Sequence, residues 1–276
     1  MRIWSATNLL LSLDDMKRIK FTKMVASGND FIVIDQKLSG SIPVLARSLC
    51  DRKFGIGADG LLLLNKLRNT DLRMRIFNAD GSEAEMCGNG ARCAALFGGK
   101  SKGRILTQTG VINTEVRSGR VKIRLTEPKG IKLDIPLKVT GRLIKVNFIN
   151  TGVPHAVVFV NGIENIDVAN IGRSIRFHTK FAPAGTNVDF AQVKGNDLIA
   201  IRTYERGVED ETLACGTGSV AAGLVFALKS GLGRMVKVGT RGGEELKVYF
   251  KKENKNFRDV WLEGSAKIVY KGEYYV

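Results

Sequence analysis

A chain of 276 residues can bury a large core and organise as one or two domains. Its 44% apolar and 25% charged residues are the composition of an ordinary globular protein, and no run of about eighteen apolar residues is present to span a membrane. The net charge of +16, from 43 Lys and Arg against 27 Asp and Glu, attracts anions, but the basic residues are scattered and no arginine-rich block interleaved with aromatics marks a specific nucleic-acid partner.

Four cysteines (Cys50, Cys87, Cys93 and Cys215) are too few and too scattered for a disulfide framework. They lack a Cys-x-x-Cys zinc spacing, and only His155 and His178 could assist, so no metal site is expected. A reducing compartment fits best, because working thiols are lost to disulfides elsewhere.

Residues 1–18 read as an N-terminal extension. Leu9-Leu10-Leu11 runs directly into Ser12, Asp14 and Asp15, which is a poor secretory signal, so a cytoplasmic location is expected. Met16 is an alternative start. From Ile19 a strand leads to Gly28-Asn29-Asp30, and residues 31–35 form a second. Pro43 marks a helix over 44–53, which makes Cys50 a core thiol. A glycine-punctuated loop over 54–60 precedes a buried strand at 61–64. Leu72, Met74 and Ile76 alternate with Arg73 and Arg75, the period of a half-buried strand. That strand delivers Asn78 to a polar loop ending at Cys87. The small apolar residues 91–97 suit a buried helix, strands follow at 104–108, 111–116 and 120–126, and a Pro/Gly-bearing linker at 127–136 ends the first half.

The pattern then restarts. A strand over 143–149 leads to Thr151-Gly152-Val153-Pro154-His155, and another occupies 156–160. A helix near 168–177 precedes Gly185-Thr186-Asn187-Val188-Asp189. A strand over 198–204, a polar loop over 205–213, Cys215 and an apolar helix over 220–228 repeat the earlier order. Gly231 ends that helix, and strands fill the remainder. Gly28 and Gly152, Asp59 and Asp189, and Cys87 and Cys215 recur at offsets of 124, 130 and 128 residues, the signature of an internal duplication. The expected fold is therefore α+β, with two pseudo-symmetric halves. Each is a mixed β-sheet or barrel wrapped around a central helix, and the site lies in the cleft between them. The halves are residues 19–138, with the first cysteine, and 139–276, with the second; the last strand is free to return to the first half.

The most informative stretch occurs nearly twice, as Cys87-Gly88-Asn89-Gly90 and Cys215-Gly216-Thr217-Gly218. One such cysteine alone would usually be a small buried hydrophobe. Two, each after a strand and a polar loop and before an apolar helix, point to one substrate held between two thiols. Helix N-termini offer unpaired N–H groups and a positive dipole end, so thiolate and a substrate carboxylate are both favoured there. Opposed thiols suit a symmetric reaction, in which one removes a proton from one face of a carbon and the other adds one to the opposite face. No pyridoxal lysine, nucleotide fingerprint or metal cage is apparent, so no cofactor is expected.

At these residues the chain resembles the diaminopimelate epimerase family, from about Phe21 to the end. The resemblance rests on Gly28-Asn29-Asp30-Phe31, Phe77-Asn78-Ala79-Asp80-Gly81-Ser82-Glu83, Cys87 to Cys93, Gly152-Val153-Pro154-His155, Gly185-Thr186-Asn187-Val188 and Tyr204-Glu205-Arg206-Gly207. It implies a cofactor-independent enzyme interconverting LL- and meso-diaminopimelate in lysine and peptidoglycan-precursor synthesis, acting as a homodimer, with Cys87 and Cys215 as the acid–base thiols. It further implies carboxylate contacts from Gly88, Asn89, Gly216 and Thr217, and substrate recognition by Asn29, Asn78, Asn187, Glu205 and Arg206. His155 and Glu205 would adjust the thiols. The chain departs from the common pattern in carrying Val153 where many relatives have Asn and Gly60 where some have Gln. The 205–215 loop is also one residue longer than its counterpart.

Three rival readings stand beside this one. Proline racemases and hydroxyproline epimerases share this kind of fold, but usually carry His where Asn89 stands. A related racemase or epimerase acting on another amino acid is the second, and a non-catalytic anion-binding or thiol module is the third.

Overall fold

Alternating apolar residues build most of the molecule as strands, and two glycine-started apolar segments thread through them as helices. The computed structural model describes residues 18–67 and 72–275; the N-terminal extension lies almost wholly outside them. Among the described residues there are eighteen strands and four α-helices. The first set is β1 (Arg18–Ala26), β2 (Asn29–Ile34), α1 (Ile42–Cys50), β3 (Gly60–Lys66), β4 (Leu72–Asn78), β5 (Glu83–Ala84), α2 (Gly88–Gly98), β6 (Lys102–Thr107), β7 (Gly110–Arg117) and β8 (Arg120–Arg124). The second is β9 (Lys129–Val139), β10 (Arg142–Asn150), β11 (Pro154–Phe159), α3 (Val168–Arg176), β12 (Asn187–Val193), β13 (Leu198–Glu205), β14 (Asp210–Thr212), α4 (Gly216–Ser230), β15 (Met235–Gly239), β16 (Glu245–Glu253), β17 (Asn256–Ser265) and β18 (Lys267–Tyr275).

The pairings repeat. β2 runs parallel to β3 with Phe31 beside Gly60, and β11 runs parallel to β12 with His155 beside Asn187. β3 pairs antiparallel with β4, setting Leu62 against Ile76; β12 pairs likewise with β13, setting Asp189 against Thr203. β4 is parallel to β6, as β13 is to β15. Each half is thus a copy of one topology, and β8 joins β17 antiparallel to make the sheet continuous between them. The register also corrects one anchor of the duplication: the counterpart of Asp189 is Leu62, not Asp59, because the two strands align at an offset of 127 residues.

The stretch expected to be a linker is mostly strand. Lys129–Val139 pairs antiparallel with β10, because Ile131, Leu133, Ile135, Leu137 and Val139 alternate at the strand period. Pro136, read as a breaker, is tolerated in a strand whose observed pairing is on one side. At the other end of the chain, β18 pairs with β1 from Val25 back to Arg18. The strand after β8 therefore pairs into the second set, and the strand after β17 pairs back into the first.

Helices α2 and α4 run inside this sheet and share one apolar cluster with residues of both halves, among them Ile76, Val121, Ile123, Val248 and Leu262. α4 is buried on every face from Gly218 to Ala227, as an all-round apolar helix must be. Each ends at a left-handed glycine, Gly99 with φ 69° and Gly231 with φ 77°. α1 and α3 cover the outer faces, packing Leu49 and Cys50 in one case and Val168 and Ile175 in the other. α1 ends at Cys50 rather than Lys53, because the Asp51 carboxylate accepts the N–H groups of Lys53 and Phe54 and turns the chain away.

Candidate active site

The two cysteine loops are each tightened by a hairpin that the sequence pattern did not resolve, β4 with β5 and β13 with β14. Each hairpin delivers its cysteine to a helix N-cap in extended conformation: Cys87 at φ −142°, ψ 122°, and Cys215 at φ −111°, ψ 114°. Each sulfur then accepts a backbone N–H three residues on, from Gly90 and Gly218, at 3.4 Å in both cases. Sulfur here does what Ser or Asp oxygen does at an ordinary cap.

Both cysteines line one cavity of about 1120 Å³. Asn29, Asn78, Gly88, Asn89, Glu205, Gly216 and Thr217 line it with them, as does Val153. Asn187, Arg206 and His155 do not line it. Asn187 is buried against the backbone, its amide N–H₂ donating to the Pro154 carbonyl and its oxygen accepting the Arg206 N–H at 2.8 Å. Arg206 also donates to the Ala184 carbonyl at 3.3 Å. Within the cavity wall Asn29 donates to Asp59 at 3.2 Å, and Asn78 donates to Ser82 at 2.9 Å. At position 60, a side chain is opposed by the fold: a Cβ there would stand 2.9 Å from the Phe77 carbonyl oxygen.

Helix N-termini favour thiolate, but at both sulfurs burial works against it. Burial pushes the Cys87 thiol up, and the N–H groups of Gly90 and Asn89 oppose it only partly. Burial pushes Cys215 up further, with the negative charges of Glu205 and Asp189 adding to it; Thr217 and the Gly218 N–H pull the other way. Desolvating a charge costs more than a half-turn of dipole returns. Burial also raises the Glu205 carboxyl.

Two sets of polar residues lie behind the cavity, and the sequence pattern assigns no site role to their Asp189, Thr203, Arg92, Ser27, Ser265 and Glu244. Under α4, His155 is fully buried, with Nδ1 2.8 Å from Asp189 and Nε2 3.0 Å from the Thr217 hydroxyl, which lies 3.4 Å from the Cys215 sulfur. Thr203 donates to the other Asp189 oxygen at 2.8 Å. In α2, Arg92 is fully buried and donates to Ser27 at 2.7 Å and to the Asn89 side chain, while Asn89 in turn donates to Asn29. Glu244 completes this set, 3.7 Å from Arg92 Nη1 and hydrogen bonded to Ser27 and Ser265. A signal for both was present: Arg92 interrupts a run of small apolar helix residues, and Asp189 interrupts an apolar strand. Among the described residues no group of three or more His, Cys, Asp or Glu side chains is arranged to hold a metal ion.

A family model described as diaminopimelate epimerase matches residues 21–135 and 147–269. The diaminopimelate epimerase of Hydrogenobaculum sp. (strain Y04AAS1) is 43% identical over 91% of this chain and 96% of its own length. That of Aquifex aeolicus (strain VF5) is 44% identical over 92% of this chain and 97% of its own. Among solved structures, a phenazine biosynthesis protein of the PhzF family from Bacillus anthracis superposes with a TM-score of 0.73 at 18% identity, covering 95% of this chain and 100% of its own, a likeness of fold alone.

Proposed function

The chain belongs to the diaminopimelate epimerase family, and on that premise we propose that Cys87 and Cys215 are the acid–base pair that inverts the α-carbon of LL-2,6-diaminopimelate to the meso form. One observation carries the residue assignment: two sulfurs in matching N-cap positions on the wall of a single cavity. One sulfur, as thiolate, takes the α-hydrogen as a proton, and the electron pair left on carbon spreads into the carboxylate. The other, as thiol, returns a proton to the opposite face. The enzyme ends with the protonation of the two sulfurs exchanged. The reaction needs only these two groups and a way of stabilising the enolate-like charge, so it runs without a cofactor.

The backbone at Gly88–Asn89 and Gly216–Thr217 lies at the two helix N-termini, where N–H groups favour the charge developing on the carboxylate. Asn29, Asn78 and Glu205 would recognise the distal amino-acid end from the cavity wall. Asn187 and Arg206 would support that end from beside it, and His155 and Glu205 would adjust the thiols. The sequence halves 19–138 and 139–276 would act as the two jaws, with β9 and β18 exchanged between them. A homodimer is supported by the exposed apolar run Ile268, Val269 and Tyr270 on β18. A reducing, cytoplasmic setting is supported by four free cysteines. Among the described residues, no helix is long and apolar enough to cross a membrane.

Proton NMR of the protein with LL-diaminopimelate in D₂O, under reducing conditions and with nothing added, tests the reading. Loss of the α-proton signal as meso product appears, and its persistence in each Cys→Ser variant, is the expected result. Exchange that continues in either variant would remove that cysteine from the pair.

A further inference from the structure

One wall of the cavity is held by a chain of side chains whose hydrogen bonds run only one way. At one end stands Arg92, which only donates, so the atom that Asn89 turns toward it is the amide oxygen. The Asn89 N–H₂ then donates to the Asn29 oxygen, and the Asn29 N–H₂ donates to Asp59 Oδ2 at 3.2 Å. At the other end Asp59 is a carboxylate, which only accepts, and Arg52 donates to its second oxygen at 2.7 Å. A donor-only group at one end and an acceptor-only group at the other leave each amide a single orientation. Turning Asn29 over would set its oxygen against the Asp59 carboxylate and its N–H₂ against that of Asn89. The amide that results keeps one N–H and one oxygen lone pair uncommitted, and those are what it offers a bound amino acid.

Asp59 is itself fixed from behind. Arg52 also forks onto Asp30, reaching Oδ1 at 2.8 Å and Oδ2 at 3.1 Å. The buried Lys23 pairs with Asp30 at 2.8 Å and donates to the Gly57 carbonyl. The Asp30 N–H donates to Asp59 Oδ2 at 3.1 Å, and the Asp59 N–H returns to the Asp30 carbonyl at 3.0 Å. Two cations and two carboxylates thus balance in charge, and of the two carboxylates it is Asp59 that lines the cavity beside Asn29.

The duplication supplies the control. By register, Phe31 beside Gly60 corresponds to His155 beside Asn187. One and two residues earlier, Val153 therefore stands in the place of Asn29, Pro154 in that of Asp30 and Thr186 in that of Asp59. The second half reaches the same topology with no carboxylate at either place. The charged quartet is thus not what the topology requires; it occurs in the half that has an amide to aim.

We propose that Asp59, clamped by Arg52, is a positioning residue that fixes the Asn29 amide on the cavity wall and so sets how tightly the first half grips the substrate. This rests on the reading above, in which Asn29 takes part in substrate recognition, and adds the group that aims it. Asparagine at position 59 has one oxygen for donors that now share two, so Asp59→Asn leaves either Arg52 or Asn29 unserved.

Initial rates of epimerisation across a range of LL-diaminopimelate concentrations give KM and kcat for the wild type, Asn29→Ala, Asp59→Asn and the double variant. Asp59→Asn is expected to raise KM about three- to tenfold with kcat within about twofold, the mark of lost uniform binding. Asn29→Ala is expected to raise KM at least as far, and the double variant no further than Asn29→Ala, because Asp59 acts through Asn29. Arg52→Lys, which keeps the charge but not the fork, is expected to raise KM by a smaller factor. Asp59→Asn with native KM would overturn the proposal, as would a fall in kcat alone. Effects that multiply in the double variant would overturn it too, by showing that Asp59 meets the substrate itself. The ¹⁵N relaxation of the Asn29 side-chain amide, identified by its loss in Asn29→Ala, is read without substrate. It is expected to be rigid in the wild type and mobile in Asp59→Asn, and equal mobility in both would overturn the proposal. If the wild-type protein turned over no diaminopimelate, the epimerase reading would fail, while the relaxation still decided whether Asp59 holds Asn29.

Discussion

The two thiols sit in matching local structures that are held in different ways. The helix starting at Cys215 is braced by its own half, since His155, Asp189 and Thr203 come from the neighbouring strands β11, β12 and β13. The helix starting at Cys87 is braced across the molecule. Arg92 reaches Ser27 and Asn89 on its own side, but its counter-charge is Glu244, from the turn between β15 and β16. Gly264 of β17 makes room for it, because a Cβ there would fall 1.5 Å from Arg92 Nη1. The Asn89 side chain, and through it Asn29, thus depends on where the second half stands relative to the first. One wall of the cavity is self-contained, and the other is set by the fit of the halves.

The largest effect expected is the one that ignores this difference. Cys87→Ser and Cys215→Ser should each lower turnover by about 10²–10⁴-fold or more, because the thiols act as a unit and a serine hydroxyl is a far weaker acid. Steady-state rates from both isomers check it, and a variant retaining near-native rates in either direction would break the pairing. Next comes the cross-molecule brace. Glu244→Ala leaves Arg92 as a buried cation without its partner and should cost about 3–5 kcal/mol by denaturant unfolding. KM is expected to rise with it as Asn89 loses its anchor. A loss of stability with KM unchanged would confine Glu244 to a structural role.

A smaller effect distinguishes the packing beneath the two thiols. Gly218→Ala forces a methyl against the Asp189 carboxylate and should cost about 1–3 kcal/mol. Gly90→Ala meets only the movable ends of Leu62 and Ile76, and its helix-propensity gain of about 0.5–1 kcal/mol offsets that contact. Thermal melts of the two variants side by side make the comparison, and equal losses would contradict it.

The smallest effect separates working thiols from core thiols. Burial raises the Cys50 thiol to about 11 and the Cys93 thiol to about 12, and both lie in the first half. Their neutral forms therefore favour the folded state fully below the unfolded thiol pKa of about 8.5, and that stability is lost as pH rises toward the folded values. Near pH 9 each is expected to withdraw about 1 kcal/mol, and Cys50→Ala should flatten the alkaline fall in melting temperature. An unchanged slope would show that other groups govern it.

How much of this was legible in the sequence varies residue by residue. The sulfur caps were readable, because Cys followed by Gly-x-Gly and an apolar run carries its own local geometry. Gly88, Asn89, Gly216 and Thr217 come with them, as neighbours of a cap must. Asn29 and Asn78 were readable as turn residues, and their meeting on one cavity wall follows from a repeated topology. Strand β9 is not legible in the sequence, because Pro136 and Gly130 look like breakers when the pairing partner is unknown. Asp189 is legible as a repeat anchor, but its offset points to Asp59 rather than Leu62, since a sequence offset drifts by a few residues where loops differ and a strand register does not.

The sequence by itself determined the duplication, the positions of the two thiols and the apolar helices behind them, since periodicity and capping are properties of neighbouring residues. Only the tertiary structure decided what lies beneath each thiol. Leu62 against Ile76 and Asp189 against Thr203 are pairings across strands, and Arg92 meets Glu244 from 152 positions away. The charge state of a sulfur is decided there as well. A helix N-terminus favours thiolate, but the desolvation that opposes it depends on every residue packed around the sulfur, and those residues are assembled only by the fold.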